Sequence, residues 1–287
     1  YRSVVEVLPE RYGRVLYDYM EIEPIDEVWY VKDSISAVDV RNIVRSCEEL
    51  GVTFRLSHYE SNDNLTNAFT ETISDRKFLT FTNVPYKPAS LTIKRIMDIL
   101  ISSIAIILLS PLLLGIAIII FLTSKGPVIF TQERIGLRGR PFQLYKFRTM
   151  VADAEAQLKE LEARNESDGP TFKIAADPRI TPVGKFLRRT GLDELPQLFN
   201  ILKGEMSLIG PRPPLESETR QYKRWQLRRL SVKPGLSCFW QIKPQRNSIK
   251  FEKWMEMDLA YIDNWSLRLD FLILIKTVKT VFQRSGL

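Results

Sequence analysis

A long apolar run constrains this chain more than any other feature of its sequence. Residues 99–122 carry no charged side chain, and about 20 apolar residues are enough for a helix to cross the hydrocarbon core of a membrane. Pro111 lies in the middle of the run, directly after Ser110, where proline removes a helical hydrogen bond and kinks the axis. The Ser110 hydroxyl could bond the carbonyl group that the proline leaves free. We therefore predict a membrane helix over residues 94–123 with a break at Ser110 and Pro111.

Basic residues flank this run on both sides. They are Lys94 and Arg95 before it and Lys125, Arg134, Arg138 and Arg140 after it. A helix that crosses a membrane normally has its excess of Lys and Arg on one side, so the double flank fits a helix–break–helix that dips into one leaflet and returns. Because proline also occurs in true spans, the residues alone leave the spanning and the re-entrant interpretations open.

Charge is unevenly distributed along the chain. The 287 residues have a formal net charge of +7, but acidic side chains outnumber basic ones over residues 1–90, and basic ones dominate the remainder. A mildly acidic N-terminal part and a strongly basic C-terminal part suggest two units with different partners. The basic unit should bind phosphate groups, whether these belong to lipid headgroups, nucleotides or nucleic acid.

Cysteine and histidine are too scarce for several classes of site. Cys47 and Cys238 are far apart without paired spacing, which argues against a disulfide framework or a cysteine-based zinc site and fits a reducing compartment. His58 is the one histidine, so catalytic triads and histidine metal sites are not expected. Because Tyr1 opens a run that resembles a strand, we expect the chain to start inside a longer polypeptide.

The N-terminal part alternates strand-like and helix-like segments. Residues 26–31 are apolar, aromatic and β-branched, residues 37–50 show helical spacing before Gly51, and residues 52–56 resume a strand. This succession predicts a parallel βαβ unit within an α/β, Rossmann-like module. The dinucleotide motif G-x-G-x-x-G does not occur in residues 1–90, which favours a regulatory or scaffolding role.

The domain boundaries follow from composition. Residues 83–92 contain two prolines and few helix formers and are predicted to be a linker. The Rossmann-like module would then occupy residues 1–82, and a mainly α catalytic domain that includes the membrane segment would occupy residues 93–287.

Two further segments of the C-terminal part have recognisable patterns. Residues 129–136 and 141–148 predict a short β-hairpin. Residues 267–282 predict a long apolar helix, which could pack in a core or lie on the bilayer surface beside the membrane segment.

An adjacent acid pair, Asp193 and Glu194, lies within residues 187–204. The apolar residues that follow recur at i, i+3, i+4 and i+7 and predict a helix with one buried stripe: Leu195, Leu198, Phe199 and Leu202. Pro196 is typical of a first helical turn, so both acids would lie at the helix start. Free N–H groups and the helix dipole stabilise carboxylates there, and a purely structural role as a cap stays open.

Basic residues give the acid pair a second interpretation. Arginine binds phosphate in bidentate fashion and stabilises charge that shifts during phosphoryl transfer. An aspartate can attack phosphorus and hold the group covalently, and a neighbouring acid can share Mg²⁺ with substrate phosphates. The candidate phosphate-binding residues are Lys146, Arg148, Arg179, Arg188, Arg212 and Arg246. Nucleic-acid binding is disfavoured because the charges are not clustered with stacking aromatic residues.

Six sequence blocks follow one another at consistent spacing in the C-terminal part. They are KFRTM at 146–150, DPRITPVG at 177–184, LDELPQL at 192–198, MSLIGPRP at 206–213, KPG at 233–235 and the D…Y…DNWS pattern at 258–266. From about residue 93 onward the chain thus resembles the bacterial sugar transferase family, the monotopic polyprenyl-phosphate phosphoglycosyl transferases. The N-terminal part is similar to the Rossmann-like half of its larger members.

The resemblance implies a two-step reaction at the cytoplasmic face of a bacterial inner membrane. The aspartate matching Asp193 would attack the β-phosphate of a UDP-sugar, release UMP and carry the phosphosugar, which polyprenyl phosphate would then accept. This is the first membrane step of capsule, O-antigen or exopolysaccharide synthesis. Mg²⁺ would be bound by Asp193 and Glu194. The alternative is an inactive, membrane-anchored regulator of the same fold, which an intact acid pair disfavours.

The resemblance also assigns roles to other residues. Arginines matching Arg188, Arg212 and Arg246 would surround the phosphates, and Lys146 and Arg148 fall in a motif that lines the site. The family's membrane helix breaks at a Ser-Pro pair that matches Ser110-Pro111, which favours the re-entrant interpretation. Expected partners are the UDP-sugar, polyprenyl phosphate and inner-membrane lipid, without nucleic acid, and the N-terminal module could support a homodimer.

Two departures from the family pattern lie close together. Residues 234–241 read PGLSCFWQ where relatives usually read PGITGWAQ, and Gln245 precedes Arg246 where glycine is usual. Both departures bear on loop geometry and sugar specificity, and the sequence leaves the transferred sugar open.

Overall fold

A computed structural model describes residues 24–31, 36–57, 68–82, 88–157, 161, 165–171, 174, 177–243 and 249–282. The fold is mixed α/β. Contacts divide the chain into two compact units. The first takes the described part of the N-terminal 86 residues together with Leu137–Arg140 and Tyr222–Val232, and the second takes the rest. The domain boundaries proposed above stay a prediction.

The elements follow one another in this order. They are β1 (Glu27–Tyr30), α1 (Ala37–Leu50), β2 (Thr53–Ser57), β3 (Ala68–Ile73), β4 (Arg76–Phe81), α2 (Pro88–Thr123), β5 (Ile129–Ile135), β6 (Pro141–Phe147), α3 (Pro182–Thr190), α4 (Gln197–Lys203), β7 (Ser207–Ile209), α5 (Glu216–Thr219), α6 (Arg224–Leu227), β8 (Gly235–Ser237), α7 (Phe251–Asp263) and α8 (Leu267–Phe282). Short 3₁₀ turns lie at Leu137–Gly139, Leu192–Glu194 and Arg228–Ser231.

The first unit contains the predicted βαβ arrangement. Strands β1 and β2 pair in parallel, and α1 connects them. The Ser36 hydroxyl accepts a hydrogen bond from the Asp39 N–H (3.1 Å) and caps the start of α1. Gly51, with φ of 69°, ends the helix in the left-handed conformation. Sequence spacing and Gly51 therefore located α1 correctly.

A Rossmann-like module is not confirmed, because the described sheet is mixed. Its order is β1-β2-β4-β3, and β4 pairs antiparallel with both of its neighbours. The β3–β4 hairpin was not predicted from the sequence. Its turn consists of Ser74 and Asp75 with φ of 45° and 65°, a pair of left-handed residues that suits the twist of a two-residue hairpin. A sheet with this hairpin on one side lacks the doubly wound parallel order.

The core of the first unit lies between α1 and one face of the sheet. Val40, Ile43 and Cys47 of α1 pack with Phe54 of β2 and Phe81 of β4. Two segments from later in the sequence complete this unit. Leu227 of α6 packs against the same core, and Asp26 accepts hydrogen bonds from Arg138 (2.8 Å) and Arg140 (2.5 Å).

The long helix α2 is the main apolar element of the second unit. It has 36 residues, and among the described residues it is the one helix long and apolar enough to cross a membrane. It begins at Pro88, so residues 88–92 of the predicted linker form its first turns. The helix is continuous across Ser110 and Pro111, so the predicted break does not interrupt the helix. The Ser110 hydroxyl donates to the Ile107 carbonyl (2.8 Å), the group that Pro111 cannot bond, as predicted. The re-entrant path stays a prediction.

Polar contacts hold the start of α2 against the second unit. Lys94 donates to Asp270 (2.5 Å) and to the Ile209 carbonyl (3.0 Å). Asp98 is buried and accepts hydrogen bonds from the Ser207 hydroxyl (3.1 Å) and the Leu208 N–H (3.0 Å). Each of these charged side chains has a partner, and the resulting contacts fix the position of the start of α2 on the rest of the unit.

The end of α2 also packs against the second unit. Ile116 and Ile120 are buried with Phe147 of β6 and Leu187 of α3. The large apolar side chains between the two anchored ends are exposed, namely Leu100, Ile104, Ile107, Leu108, Leu112 and Leu114. Both ends of α2 are thus bound to the unit that carries the acid pair, and the middle of the helix presents apolar surface.

Helix α8 has two different faces. Asp270 and Ile273 are buried, whereas Phe271, Ile275 and Val278 are exposed. The helix thus contributes to the core on one side and presents an apolar surface on the other, so neither of the two sequence interpretations describes it completely.

Candidate active site

Strand β6 carries one wall of the site. It pairs with β5 in antiparallel orientation along its whole length. The first pair is Ile129 with Phe147 and the last is Ile135 with Pro141, which confirms the predicted hairpin. Lys146 lies at the end of β6. The strand is tied to α4 by Asn200, whose side-chain oxygen accepts from the Tyr145 N–H (3.0 Å). The strand that carries Lys146 is therefore held by β5 on one side and by the Asn200 side chain on the other.

Helix α3 starts in close contact with the end of β6. The Thr181 side chain caps the helix by accepting from the Gly184 N–H (2.9 Å), and the Thr149 carbonyl accepts from the Thr181 N–H (3.0 Å). A β-carbon at Gly184 would lie 2.0 Å from the Thr149 carbonyl oxygen, so only glycine allows this approach. One turn later, Arg188 donates through Nε to the Thr149 hydroxyl (2.9 Å).

The acid pair lies in a short turn between two helices. Gly191, with φ of 71°, ends α3, and the 3₁₀ turn Leu192–Glu194 follows directly. Helix α4 begins after Pro196 without a side-chain cap. Asp193 and Glu194 therefore precede α4 and do not cap its first turn, which weakens the purely structural interpretation of the pair.

Four of the predicted site residues lie together around Asp193. Its side chain is buried, with the residue 7% exposed. Burial, and then the Glu194 charge, raise the pKa of Asp193, while Lys146 and Arg188 act in the opposite direction. Lys146 also donates to Glu194 (2.8 Å). Asp193, Glu194, Lys146 and Arg188 thus form one electrostatic cluster.

This cluster could bind a metal cation whose remaining ligands are supplied by the substrate phosphates. Among the described residues there is no group of three or more His, Cys, Asp or Glu side chains that could hold a metal ion. Mg²⁺, however, commonly binds one or two carboxylates together with substrate phosphates. The repulsion between Asp193 and Glu194 would be relieved by such a cation. These two residues can therefore serve as the predicted Mg²⁺ ligands, and Mg²⁺ stays a prediction.

Comparison with known proteins identifies the family. The profile described as bacterial sugar transferase matches residues 89–284. The chain belongs to the bacterial sugar transferase family. It is 39% identical over 253 residues to the galactosyl transferase CpsE of Streptococcus agalactiae serotype III (strain NEM316). It is 37% identical over 261 residues to the UDP-glucose:undecaprenyl-phosphate glucose-1-phosphate transferase of Klebsiella pneumoniae, and 40% identical over 197 residues to the exopolysaccharide production protein ExoY of Rhizobium meliloti (strain 1021).

These relatives differ in how much of their length is matched. The matches cover 86% and 88% of this chain but only 55% of CpsE and 54% of the Klebsiella protein. The chain therefore spans about half the length of these two relatives. The ExoY match covers 67% of this chain and 87% of ExoY, so this family member consists almost entirely of the matched part.

Arg179 of this sugar transferase family member lies beside the cluster but has protein partners. Its guanidinium makes a bidentate pair with Asp177 (2.9 and 2.7 Å) and donates to the Ala154 carbonyl (3.0 Å). The hydrogen bond with Asp177 raises the pKa of Arg179. Asp177 and Arg179 both act electrostatically on Arg188. The hydrogen bonds of Arg179 therefore go to Asp177 and Ala154, and its predicted role in phosphate binding is untested.

The remaining predicted arginines have other contacts. Arg148 donates to the Lys125 carbonyl (2.5 Å) and so connects the end of β6 to the segment after α2. Arg212 donates to Glu218 (3.1 Å), and its guanidinium lies 5.5 Å from the ring centroid of Trp254. Arg246 lies outside the described residues. Phosphate binding by these three arginines is therefore still a prediction.

Asn200 and Thr149 help to build the site but were not predicted from the sequence, and Phe199 was predicted to be buried. Asn200 is fully buried and donates to the Gln143 carbonyl (2.7 Å), and Thr149 holds Arg188. Phe199, predicted to lie in the buried stripe, is 45% exposed, and that prediction is wrong. Gln197 and Asn200 are buried instead, and Asn200 is hydrogen-bonded to the β6 backbone at Tyr145 and Gln143. Periodicity counts apolar residues only and could not reveal this.

Proposed function

We propose that this chain is a phosphoglycosyl transferase that moves a hexose-1-phosphate from a UDP-sugar to polyprenyl (undecaprenyl) phosphate and releases UMP. The observation that carries the proposal is the buried Asp193 carboxylate, which lies in the fields of Lys146 and Arg188 beside Glu194. A family member with two adjacent acids and two cations at one point has the groups that phosphoryl transfer through a covalent aspartate requires.

In the first step a carboxylate oxygen of Asp193 attacks the β-phosphorus of the UDP-sugar. An acyl-phosphate bond forms, and the bond from the β-phosphorus to the oxygen that bridges the two phosphates breaks. UMP leaves with that oxygen and its electron pair. Asp193 must be ionised to attack, and Lys146 and Arg188 favour the ionised form against the effect of burial. Because the carboxylate is largely desolvated, little hydration has to be removed before it reacts.

In the second step a phosphate oxygen of polyprenyl phosphate attacks the phosphorus of the intermediate. The acyl-phosphate bond breaks, and Asp193 returns to its carboxylate form. Lys146 and Arg188 stabilise the charge that moves between the carboxylate and the phosphoryl oxygens. Mg²⁺ bound by Asp193 and Glu194 would neutralise part of the diphosphate charge.

The anchoring of α2 supports a re-entrant path for this helix. Arg95 near its start donates to the Ile201 carbonyl (2.6 Å), and Ile120 near its end packs with the core that contains Leu187. A span would place these ends on opposite faces of a hydrocarbon layer about 30 Å thick. One polar unit cannot lie on both faces, so we infer that α2 enters and leaves the same leaflet. The site would then face the cytoplasm at the inner membrane.

The relatives support the substrate class but not one sugar. The Klebsiella relative is named for UDP-glucose and undecaprenyl phosphate, and CpsE is named as a galactosyl transferase. We therefore propose a UDP-hexose as donor, in capsule or exopolysaccharide synthesis.

The proposal is tested by labelling the purified chain with UDP-sugars that carry a radioactive β-phosphate and sugar. We expect stable label on the protein and equimolar UMP release, and both should be lost in Asp193→Asn. Asp153→Asn is the matched control, because Asp153 is exposed and its side chain accepts a hydrogen bond from Gln157 within the same segment. Label that persists in Asp193→Asn would place the nucleophile elsewhere.

A further inference from the structure

A second group of cations lies where α2 enters the second unit. Lys233 is half-buried, and no hydrogen bond or ion pair of its ammonium group occurs among the described residues. A β-carbon built on Gly204 would lie 3.6 Å from Lys233 Nζ and 3.3 Å from Arg95 Nη2. The two cationic groups therefore face the same point beside the Gly204 backbone, and that point is left open by the missing side chain.

The surrounding charges are not balanced. Lys233 lies in the electrostatic fields of Arg95, Asp98 and Lys94, and Lys94 is bound to Asp270. Asp98 already accepts two hydrogen bonds from β7. Three cations thus meet two carboxylates that both have other partners. Burial, followed by the Arg95 and Lys94 charges, lowers the pKa of Lys233. An anion between Lys233 and Arg95 would compensate the excess positive charge.

The position of Arg95 and Lys233 relative to the bilayer indicates which anion could bind between them. Arg95 lies four residues before Ile99, where the uncharged run of α2 begins, which is about 6 Å along a helix. The headgroup layer on each side of a bilayer is roughly 5–8 Å thick. Ile96, Ile99 and Leu100, which follow Arg95 in α2, have exposed apolar side chains. Arg95 and Lys233 would therefore lie at the level of lipid phosphates.

We propose that Lys233 and Arg95 bind the phosphate of an anionic phospholipid where α2 enters the membrane. The proposal rests on the membrane placement argued above and is separate from the chemistry at Asp193. Arg95 uses two of its N–H groups for the Ile201 and Leu202 carbonyls, so its guanidinium is held in place while other N–H groups can reach a phosphate oxygen. Lys233 supplies the second contact.

The test measures how tightly the purified full chain retains phosphatidylglycerol. Protein in detergent is titrated with phosphatidylglycerol or with zwitterionic phosphatidylcholine, and bound lipids are counted by native mass spectrometry. We expect preferential retention of one phosphatidylglycerol and about fivefold weaker retention in Lys233→Gln, since one basic residue near a membrane surface contributes about 1 kcal/mol. Lys233→Arg should retain the lipid.

Two controls make the result decisive. Lys253→Gln removes an exposed lysine of α7 that is paired with Glu256, and it should leave retention unchanged. Equal retention by the wild type and Lys233→Gln would overturn the proposal. Displacement of the lipid by millimolar inorganic phosphate would assign the site to a soluble anion and overturn the lipid assignment. UMP release is measured in the same samples, so a failure of the proposed reaction is seen independently of the lipid count.

Discussion

Gly184→Ala is the substitution whose effect can be worked out most directly from the structure. The added methyl group would lie 2.0 Å from the oxygen, 2.6 Å from the carbon and 2.7 Å from the Cα of Thr149. An ordinary carbon–oxygen contact is about 3.3 Å, so α3 and the end of β6 would have to separate by roughly 1.3 Å. Because all three atoms belong to the backbone, no side chain can rotate away.

Two consequences of that separation can be measured. Overpacking typically costs about 1–3 kcal/mol, and we expect the upper end here, which lowers the Tm by roughly 10 °C for a unit of this size. Arg188 would move away from the Thr149 hydroxyl that now holds it at 2.9 Å. A displacement of about 1 Å in a positioned catalytic group can reduce a rate about 100-fold. UMP release should therefore fall by about this factor.

The matched control is Gly115→Ala in α2. Nothing lies within 4 Å of a β-carbon built there, and replacing glycine by alanine in a helix is favourable by roughly 1 kcal/mol. This variant should keep its activity, and its Tm should rise by about 2–4 °C. The Tm is read by thermal unfolding in detergent, and the rate by UMP release at saturating UDP-sugar. Wild-type stability and rate in Gly184→Ala would refute the close contact between α3 and β6.

Three further expectations follow from the charges and the helix. Lys146→Met removes a cation that lowers the pKa of Asp193, so the acid limb of the pH–rate profile should move to higher pH; an unmoved limb would exclude Asp193 as the group that titrates. Burial raises the folded-state pKa of Asp193 above its unfolded value, so ionised Asp193 destabilises the fold at neutral pH, and Asp193→Asn should raise the Tm at pH 7. That gain should disappear as the pH falls through the folded-state pKa, and an equal gain at acid pH would contradict the assignment. Pro111→Ala should straighten α2 and move one of its ends across the membrane in accessibility labelling, whereas unchanged labelling would show that proline does not turn the chain.

Elements defined by local pattern could be predicted from the sequence. The β5–β6 hairpin, the βαβ arrangement and the apolar helix all depend on composition or on residue spacing within a short window. The hydrogen bond from Ser110 to the Ile107 carbonyl was also predictable, because it joins residues within one helical turn. The β3–β4 hairpin was not, since its turn residues, Ser74 and Asp75, adopt a left-handed conformation that is typical of Asn and Gly.

The candidate site was predictable in its residues but not in their arrangement. The acid pair stood out by its neighbours in the sequence. Whether a given arginine acts on it, however, depends on partners far along the chain. Arg188 is held by Thr149, 39 residues away, whereas Arg179 is bound by Asp177, two residues away. The acidic residue two positions before Arg179 is visible in the sequence, whereas nothing in the sequence near Arg188 indicates its contact with Thr149.

The position of the acid pair explains why a covalent route suits this architecture. Asp193 is buried beside two cations, and the turn that carries it connects α3, which packs on the end of α2, to α4, whose last carbonyls bind Arg95 near the start of α2. In the reaction proposed above, a polar donor would arrive from water and a lipid acceptor from the bilayer. Binding both at once would require a site open to both environments, and water would then enter. A phosphosugar held on the protein separates the two encounters in time, so a small desolvated site next to a membrane helix is sufficient.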